Sequence, residues 1–343
     1  MIALSALALE VCVRLLGIAE PLAREYALFA SDPVLPYRTA PGLTLRGRSA
    51  TDEYDFEFRH NRRGFRDEDH ILTKPAGVFR ILGLGDSFTY GAGADYEETY
   101  LRRLEKRLNQ GRHGGATTCE VIKCGIPRFF PEPERILLEH EGLEYDPDLI
   151  LVAFVPNDIM DTYMGVQSVV VDDSGYLRRW EARRVGTAGV FLYRHSHVFR
   201  LLFRKHLDRQ VKKRFTIDWA EVFKASGIYE DAWRKVEAEY DQMVRIAGEA
   251  GIPIALLYLP VEPAAVDHYQ IEDPSYPASR LKRWASGRRV PFIDSAPALA
   301  EASKEAQVFW TKDGHCTPRG YGVIAEVVYE SLLANGLVPR ETE

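Results

Sequence analysis

The chain has 343 residues, of which 46% are hydrophobic and 27% are charged. This composition is typical of a globular protein and excludes a disordered or fibrous one. The formal net charge of −6 argues against nucleic acid as a partner, and the length fits either one large α/β domain with additions or two domains.

The N-terminus predicts a helix whose setting the sequence leaves open. Residues 2–9 are apolar, Glu10 and Arg14 interrupt the pattern, and residues 11–19 restore it only in part. A membrane-spanning helix needs about 20 apolar residues with few charges. Two alternatives therefore remain, an amphipathic helix packed on the body of the protein or the end of a membrane anchor, and the cellular location stays open.

From Val78 onward, strand-like and helix-like segments alternate. The predicted strands are residues 79–84, 119–124, 149–155, 252–259 and 290–293. The predicted helices are residues 97–109, 131–144, 230–250, 276–286 and 317–335. Such alternation is typical of βαβ units on a parallel sheet, with right-handed crossovers that place helices on both faces. The predicted fold class is thus α/β, a doubly wound parallel sheet of about five strands in the order 2-1-3-4-5.

This pattern divides the chain into three parts. Residues 1–77 form an N-terminal helix and extension, and residues 78–159 with 230–338 form the α/β core. Residues 160–229 interrupt the core as a basic insertion, since residues 178–214 hold twelve Lys or Arg but only two acidic residues. Val198, Phe199, Leu202 and Phe203 repeat at helical spacing. The insertion is either a helix docked on the core with its arginines solvated or paired, or a cap near the active site that meets an anionic surface.

The four cysteines, Cys12, Cys119, Cys124 and Cys316, have neither metal-ligand spacing nor the pattern of a disulfide framework. Cys119 and Cys124 fall in one predicted strand, about 16 Å apart at the strand rise, which is too far for a mutual bond. We expect buried free thiols and no metal.

A lone serine follows the first core strand. Residues 79–84 are mostly apolar and β-prone, and helix-like sequence resumes by Glu97, so Ser87 lies at the carboxyl end of a strand where the chain turns. Open parallel sheets carry their chemistry at that edge. Glycines on both sides of Ser87 allow a close approach of the backbone to a substrate. Ser87 is a candidate nucleophile, although Gly-Asp-Ser is also ordinary turn chemistry.

Two later segments end at the same predicted edge. Asn157 follows the continuous apolar run of residues 149–155, which is typical of a strand buried on both faces. Asp313 and His315 lie between the last strand and the last helix. A histidine there can take the serine proton, and a carboxylate can fix its tautomer.

Together these segments resemble the SGNH (GDSL-type) hydrolases. Gly85-Asp86-Ser87 is similar to the nucleophile block of that family, Asn157-Asp158 to its third block, and Asp313 with His315 to its last block. Residues 61–67 resemble the lead-in of bacterial members with an N-terminal extension. The resemblance implies a flavodoxin-like sheet and ester hydrolysis or acyl transfer. It also implies Ser87 as nucleophile, His315 as base, Asp313 as its orienting acid and Asn157 as an oxyanion donor.

The sequence departs from the family pattern at two places. The acid and base are spaced Asp-x-His where the family has Asp-x-x-His, which leaves Lys312 at the usual acid position and Asp294 as a possible substitute for Asp313. In the second block, Gly125 matches a family glycine and is expected to bind substrate. Arg128 occupies the position whose backbone amide completes the oxyanion hole with Ser87, and its guanidinium suggests an anionic substrate.

Other site classes fit less well. Phe88 replaces the third glycine of a dinucleotide-binding turn, and no phosphate-binding loop is present, so we expect no cofactor. The expected partner is a small-molecule or glycan ester, with peripheral membrane contact through the N-terminus or the insertion left open. An O-acyltransferase would use the same residues, and a non-catalytic carbohydrate-binding module is a further alternative. A hydrolase is favoured because the chain has no clear multi-pass membrane domain.

Overall fold

The computed structural model describes residues 2–19, 28–49, 51–110, 117–165, 179–214, 219–224 and 227–339. The strands are β1 (Phe29–Ala30), β2 (Arg38–Thr39), β3 (Thr44–Arg48), β4 (Asp55–Arg59), β5 (Val78–Gly85), β6 (Thr118–Gly125), β7 (Leu149–Phe154), β8 (Ile254–Tyr258) and β9 (Phe292–Asp294).

The helices of the first half are α1 (Ile2–Leu15), α2 (Ser87–Tyr90), α3 (Tyr100–Asn109), α4 (Pro131–His140), α5 (Asn157–Met164), α6 (Arg179–His195) and α7 (His197–Arg214). Those of the second half are α8 (Trp219–Val222), α9 (Glu230–Glu249), α10 (Pro263–His268), α11 (Tyr276–Arg288), α12 (Ala296–Ser303) and α13 (Pro318–Ala334). Arg178, the first residue of the predicted basic run, lies outside the described residues.

The central sheet has five parallel strands in the order β6-β5-β7-β8-β9. Counted along the core, this is the order 2-1-3-4-5, so the predicted α/β fold class is confirmed. Alternate residues of β7 enter opposite hydrophobic layers, with Ile150 in one and Leu151 in the other. Helices α4, α9 and α11 cover the first layer, and α3, α12 and α13 cover the second. Burial on both faces explains the uninterrupted apolar run of β7.

Element bounds differ from the predictions mainly at helix ends. The helix predicted from residue 97 begins at Tyr100, because Tyr96–Glu98 forms a 3₁₀ turn and Thr99 is extended. The helix predicted to residue 144 ends at His140 and is followed by a second 3₁₀ turn, Gly142–Tyr145. Helices α2, α5, α10 and α12 were not predicted, since none exceeds eight residues and so short a segment carries little periodicity.

The segment after the β3–β4 hairpin fastens the N-terminal extension to the core. Asn61 accepts the backbone N–H groups of Arg63 and Phe65 through its side chain, both at 3.0 Å. The turn this forms directs Arg66 into the interior, where its guanidinium donates to the carbonyls of Gly91 at 2.5 Å and Ala94 at 2.8 Å. The extension therefore fixes the chain that immediately follows α2.

The Glu10 carboxylate contributes to the junction between the N-terminal helix and the insertion. Glu10 accepts the backbone N–H groups of His197 at 2.8 Å and Val198 at 3.0 Å, at the start of α7. Desolvation opposes ionisation, but these bonds, with those from Arg14 and Ser196, lower the pKa of Glu10 to about 2. Among the described residues, none of the helices has the length and apolar character needed to traverse a bilayer.

The structure describes two residues of these N-terminal and inserted segments that the sequence singled out, Arg200 and Cys12. Arg200 is not solvated, because its buried guanidinium donates to the carbonyls of Ala19 at 2.7 Å and of Tyr193. Carbonyls exposed where α1 and α6 end supply these acceptors. The expectation of a buried thiol is wrong for Cys12, which is exposed and free, whereas Cys119, Cys124 and Cys316 are buried and free as predicted.

Candidate active site

The turn between β5 and α2 presents Ser87 at the carboxyl edge of the sheet. Gly85 has φ +156°, and a Cβ there would lie 2.2 Å from Thr89 Oγ1, so this position requires glycine. Asp86 caps the short helix by accepting the Phe88 N–H at 2.9 Å. Strands β6 and β7 lie on opposite sides of β5. Ser87, which follows β5, therefore lies at the switch point of the strand order, where open α/β sheets bind ligands.

The structure brings Ser87, His315 and Asp313 together. The distance from His315 Nε2 to Ser87 Oγ is 2.8 Å, and that from His315 Nδ1 to Asp313 Oδ1 is 2.5 Å. Ser87 and His315 are 228 residues apart in sequence. Their meeting depends on the parallel sheet, which brings the end of β5 and the loop before α13 to one edge.

The carboxylate at His315 belongs to Asp313 and not to Asp294. Asp294 accepts the Ala296 N–H at 3.0 Å at the start of α12. Burial favours a raised pKa for Asp313, but the hydrogen bond and charge of His315, together with the Tyr54 hydroxyl, outweigh it and hold that pKa below its usual value. Asp313 is therefore kept ionised beside the imidazole.

Asn157 begins α5 and is joined to the residue before the serine. Its side-chain amide donates to Asp86 Oδ2 at 3.0 Å and to Asp161 Oδ2 at 3.4 Å. The following residue, Asp158, is buried and accepts the Val155 N–H at 3.1 Å, which fixes the turn from β7 into α5. The predicted neighbours Ser87 and Asn157 thus share one crevice.

Arg128 and Gly125 occupy the loop after β6. Arg128 has φ +62°, and its guanidinium lies 3.0 Å from Asp161, so its charge is paired with a carboxylate that also contacts Asn157. Gly125 is buried beneath α2, where a Cβ would lie 2.2 Å from the Tyr90 backbone nitrogen. Among the described residues, neither lines the cavity at Ser87. Their oxyanion and substrate-binding roles stay predictions.

A cavity of about 670 Å³ opens at the serine. Its wall is largely apolar and aromatic and includes Trp219 and Tyr269, whose ring centroids are 5.8 Å apart. Glu262 and Lys312 add one charge of each sign. Sequence reasoning missed Trp219 and Tyr269, because α8 and α10 are too short to carry a periodic signal.

A second set of residues missed from sequence comes from the N-terminal hairpin. Glu53 and Tyr54, in the turn between β3 and β4, contact the loop that carries Asp313. Strands β3 and β4 have only five residues each, and their sequence gives no indication of which distant loop the turn between them contacts. Within the described ranges, no group of three or more His, Cys, Asp or Glu side chains is placed to hold a metal.

Comparison with known proteins assigns the family. The GDSL-like Lipase/Acylhydrolase family matches residues 84–323, which include Ser87, Asn157, Asp313 and His315. The chain belongs to this family. The predicted resemblance is confirmed, and the protein is a hydrolase that acts on ester bonds. No curated protein matches the sequence.

The solved structures to which this chain is similar are distant from it in sequence. A lipolytic G-D-S-L family protein from Veillonella parvula DSM 2008 is 13% identical, covers 74% of this chain and 97% of its own, and has a TM-score of 0.44. A catalytic mutant of an acetylxylan esterase from Geobacillus stearothermophilus is 15% identical, covers 74% and 94%, and has a TM-score of 0.46.

Proposed function

We propose that the protein cleaves carboxylic esters through an acyl-enzyme on Ser87, with His315 as general base and Asp313 as its orienting carboxylate. The observation that carries this proposal is the continuous chain of contacts from Asp313 through His315 to Ser87 at the mouth of a cavity. The ionised carboxylate of Asp313 fixes the imidazole tautomer of His315, which can then accept a proton at Nε2.

The reaction then takes two steps. Ser87 Oγ attacks the ester carbonyl as its proton passes to His315 Nε2, and that proton goes to the departing alcohol when the tetrahedral intermediate collapses. Water attacks the acyl-enzyme in the second step and gives a proton to His315, which returns it to Ser87 as the acid leaves. The proposed oxyanion donors are the Asn157 amide and the backbone N–H groups of Ser87 and Arg128.

The proposed substrates are small-molecule or glycan esters. A largely apolar cavity suits an acyl group or the carbon-rich face of a sugar, and aromatic rings such as those of Trp219 and Tyr269 contribute large contact areas. The paired guanidinium of Arg128 removes the earlier reason to expect an anionic substrate. An O-acyltransferase would pass the same acyl group from Ser87 to a sugar hydroxyl in place of water.

A serine-directed fluorophosphonate probe tests the nucleophile. We expect the probe to label Ser87, Ser87→Ala to abolish labelling, and Ser279→Ala, which changes an exposed serine on α11, to leave it unchanged. Hydrolysis of p-nitrophenyl esters from acetyl to octanoyl then identifies the acyl group, and acetylated glycans identify the alcohol. Absence of labelling would support the binding-module alternative, and acyl transfer to an added sugar in preference to water would support the transferase.

We further propose that the protein contacts an anionic membrane surface through α1 and the insertion. Leu4, Leu7 and Leu15 on α1 are 73%, 62% and 83% exposed, and Leu202 on α7 is 65% exposed. Glu10 joins these two helices at the start of α7, so the elements that carry these exposed apolar side chains are in contact. The excess of lysine and arginine in residues 178–214 complements anionic headgroups.

A further inference from the structure

The turn of the β3–β4 hairpin reaches the loop that carries Asp313. The Glu53 carboxylate accepts the backbone N–H of Asp313 at 2.8 Å and that of Lys312 at 3.1 Å. Glu53 and Asp313 are 260 residues apart in sequence, so this contact joins the N-terminal extension to the end of the core. Hydrogen bonds from backbone N–H groups to an ionised carboxylate are stronger than those between neutral groups.

A second contact from the same turn holds the other side of the loop. The Tyr54 ring stacks on Trp310 with a centroid distance of 5.3 Å, and the Tyr54 hydroxyl interacts with the Asp313 carboxylate. Trp310 Nε1 in turn donates to the carbonyl of Gly93, just beyond α2, at 2.8 Å. The loop before α13 is therefore fixed between the N-terminal hairpin and the segment that follows the nucleophile.

Hydrogen bonds on both sides of Glu53 hold its backbone. The Ser49 N–H donates to the Tyr54 carbonyl at 2.8 Å, and Ser49 Oγ accepts the Glu53 N–H at 3.0 Å. Asp52 adopts φ +62°, a conformation that reverses the chain there. Because the backbone on both sides of Glu53 is held, its carboxylate is directed at Asp313 by the hairpin and not only by its own rotamer.

The backbone conformation of the loop that carries Asp313 explains why contacts from the hairpin matter. Asp313 and His315 are separated only by Gly314, which has φ +84°, a conformation that favours glycine. Two bonds within the loop close it, from the Trp310 N–H to the His315 carbonyl and from the Gly314 N–H to the Trp310 carbonyl, both at 2.8 Å. Neither bond involves the Asp313 backbone, whose N–H is held by Glu53.

We propose that Glu53 and Tyr54 are positioning residues for the Asp313–His315 pair. The N-terminal extension then supplies part of the active site, with Glu53 fixing the backbone of Asp313 and the Tyr54 ring packing on Trp310 of the same loop. This inference rests on the proposed function, because the two residues act only through the base and its orienting acid. Neither Glu53 nor Tyr54 is among the described residues that line the cavity.

The test compares rates of Ser87 labelling by the fluorophosphonate probe in the full-length chain. We expect Glu53→Ala to label about 10-fold more slowly, on the scale of a lost charge-assisted hydrogen bond. Glu53→Gln should recover most of the rate, since its amide oxygen still accepts an N–H. Glu57→Ala is the matched control, because Glu57 lies on β4 of the same hairpin and pairs with Arg46 and Arg59. With p-nitrophenyl acetate, the loss in Glu53→Ala should appear in kcat and leave KM unchanged.

Tyr54→Phe provides a readout that a purely structural role would not move. The ring and its stacking on Trp310 are retained, but Asp313 loses an interaction that lowers its pKa. Of the charged and titratable groups that face Asp313, His315 and Glu53 remain in place. The pKa of Asp313 rises, the carboxylate is protonated sooner as the pH falls, and the acid limb of kcat/KM moves to higher pH.

The outcomes are separable. Labelling of the wild-type chain with unchanged rates in Glu53→Ala and an unmoved acid limb in Tyr54→Phe would overturn the positioning role alone. Absence of labelling in the wild-type chain would overturn the proposed function. If Glu53→Ala does not fold, as its melting temperature would reveal, the acid limb of the Tyr54→Phe profile decides the inference.

Discussion

The side-chain amide of Asn157 donates to the buried carboxyl group of Asp86 at 3.0 Å. Asp86 precedes the proposed nucleophile and caps its helix through the Phe88 N–H, so one carboxyl group orients both Ser87 and Asn157. Burial raises the pKa of Asp86, while the hydrogen bonds that it accepts from Asn157 and Phe88 oppose the rise. The crevice is thus organised around a residue that does not itself line the cavity.

Asn157→Ala tests the proposed oxyanion role of this amide. We expect a loss of about 3 kcal/mol of transition-state stabilisation in kcat, the usual scale for one oxyanion-hole donor, with KM for p-nitrophenyl acetate little changed. Asn335→Ala, at the exposed end of α13, serves as the control. An effect confined to KM would instead make Asn157 a substrate-binding residue.

The choice between two carboxylates is tested by a pair of substitutions. Asp313→Asn should lower kcat by about 10⁴-fold, because an amide at His315 Nδ1 favours the wrong imidazole tautomer. Asp294→Asn should leave kcat near the wild-type value, since its amide oxygen still accepts the Ala296 N–H. Steady-state kinetics on one ester measures both, and the reverse ranking would assign the orienting role to Asp294.

A buried histidine predicts how stability depends on pH. Desolvation works to lower the pKa of His70, but hydrogen bonds to Asp67 and Glu120 outweigh it and raise that pKa to about 10. Because the folded-state pKa lies above the unfolded one, the stabilisation is complete below about pH 6.5 and is lost as the pH rises towards 10. Urea unfolding across this window should show a steeper fall in the wild-type chain than in His70→Gln. If the free energy of unfolding depends on pH in the same way in both proteins, His70 is not the cause.

The sequence predicted the sheet and the meeting of Ser87, Asn157 and His315, because these depend on apolar runs and on polar residues at strand ends. The hydrophobic periodicity of one segment does not indicate which distant segment of the chain packs against it. The contacts of Glu53 with Asp313 and of Arg200 with Ala19 therefore could not be predicted, since each joins segments more than 150 residues apart. The cavity wall was missed for a related reason, as Trp219 and Tyr269 lie in or beside helices of one or two turns.

Membrane contact is tested with vesicles that differ only in lipid charge. We expect the protein to co-sediment with vesicles containing phosphatidylserine more than with neutral phosphatidylcholine vesicles, and added salt to weaken the difference. Leu4→Ser with Leu7→Ser should reduce binding to both, because each substitution removes exposed apolar area from α1. Arg194→Glu with Lys205→Glu should reduce only the preference for anionic lipid, since both residues are exposed on α6 and α7.

Cleavage of small soluble esters should be unchanged in these variants, because among the described residues neither α1 nor α7 lines the cavity. Glu10→Ala provides an independent check that α1 and α7 act together in membrane contact. Loss of the bonds to His197 and Val198 loosens the junction of α1 with α7, although the bond from Arg200 to Ala19 remains. Binding to anionic vesicles should therefore fall even though no apolar or basic residue has been removed. Equal binding by the wild-type chain and all of these variants would contradict membrane contact through α1 and the insertion.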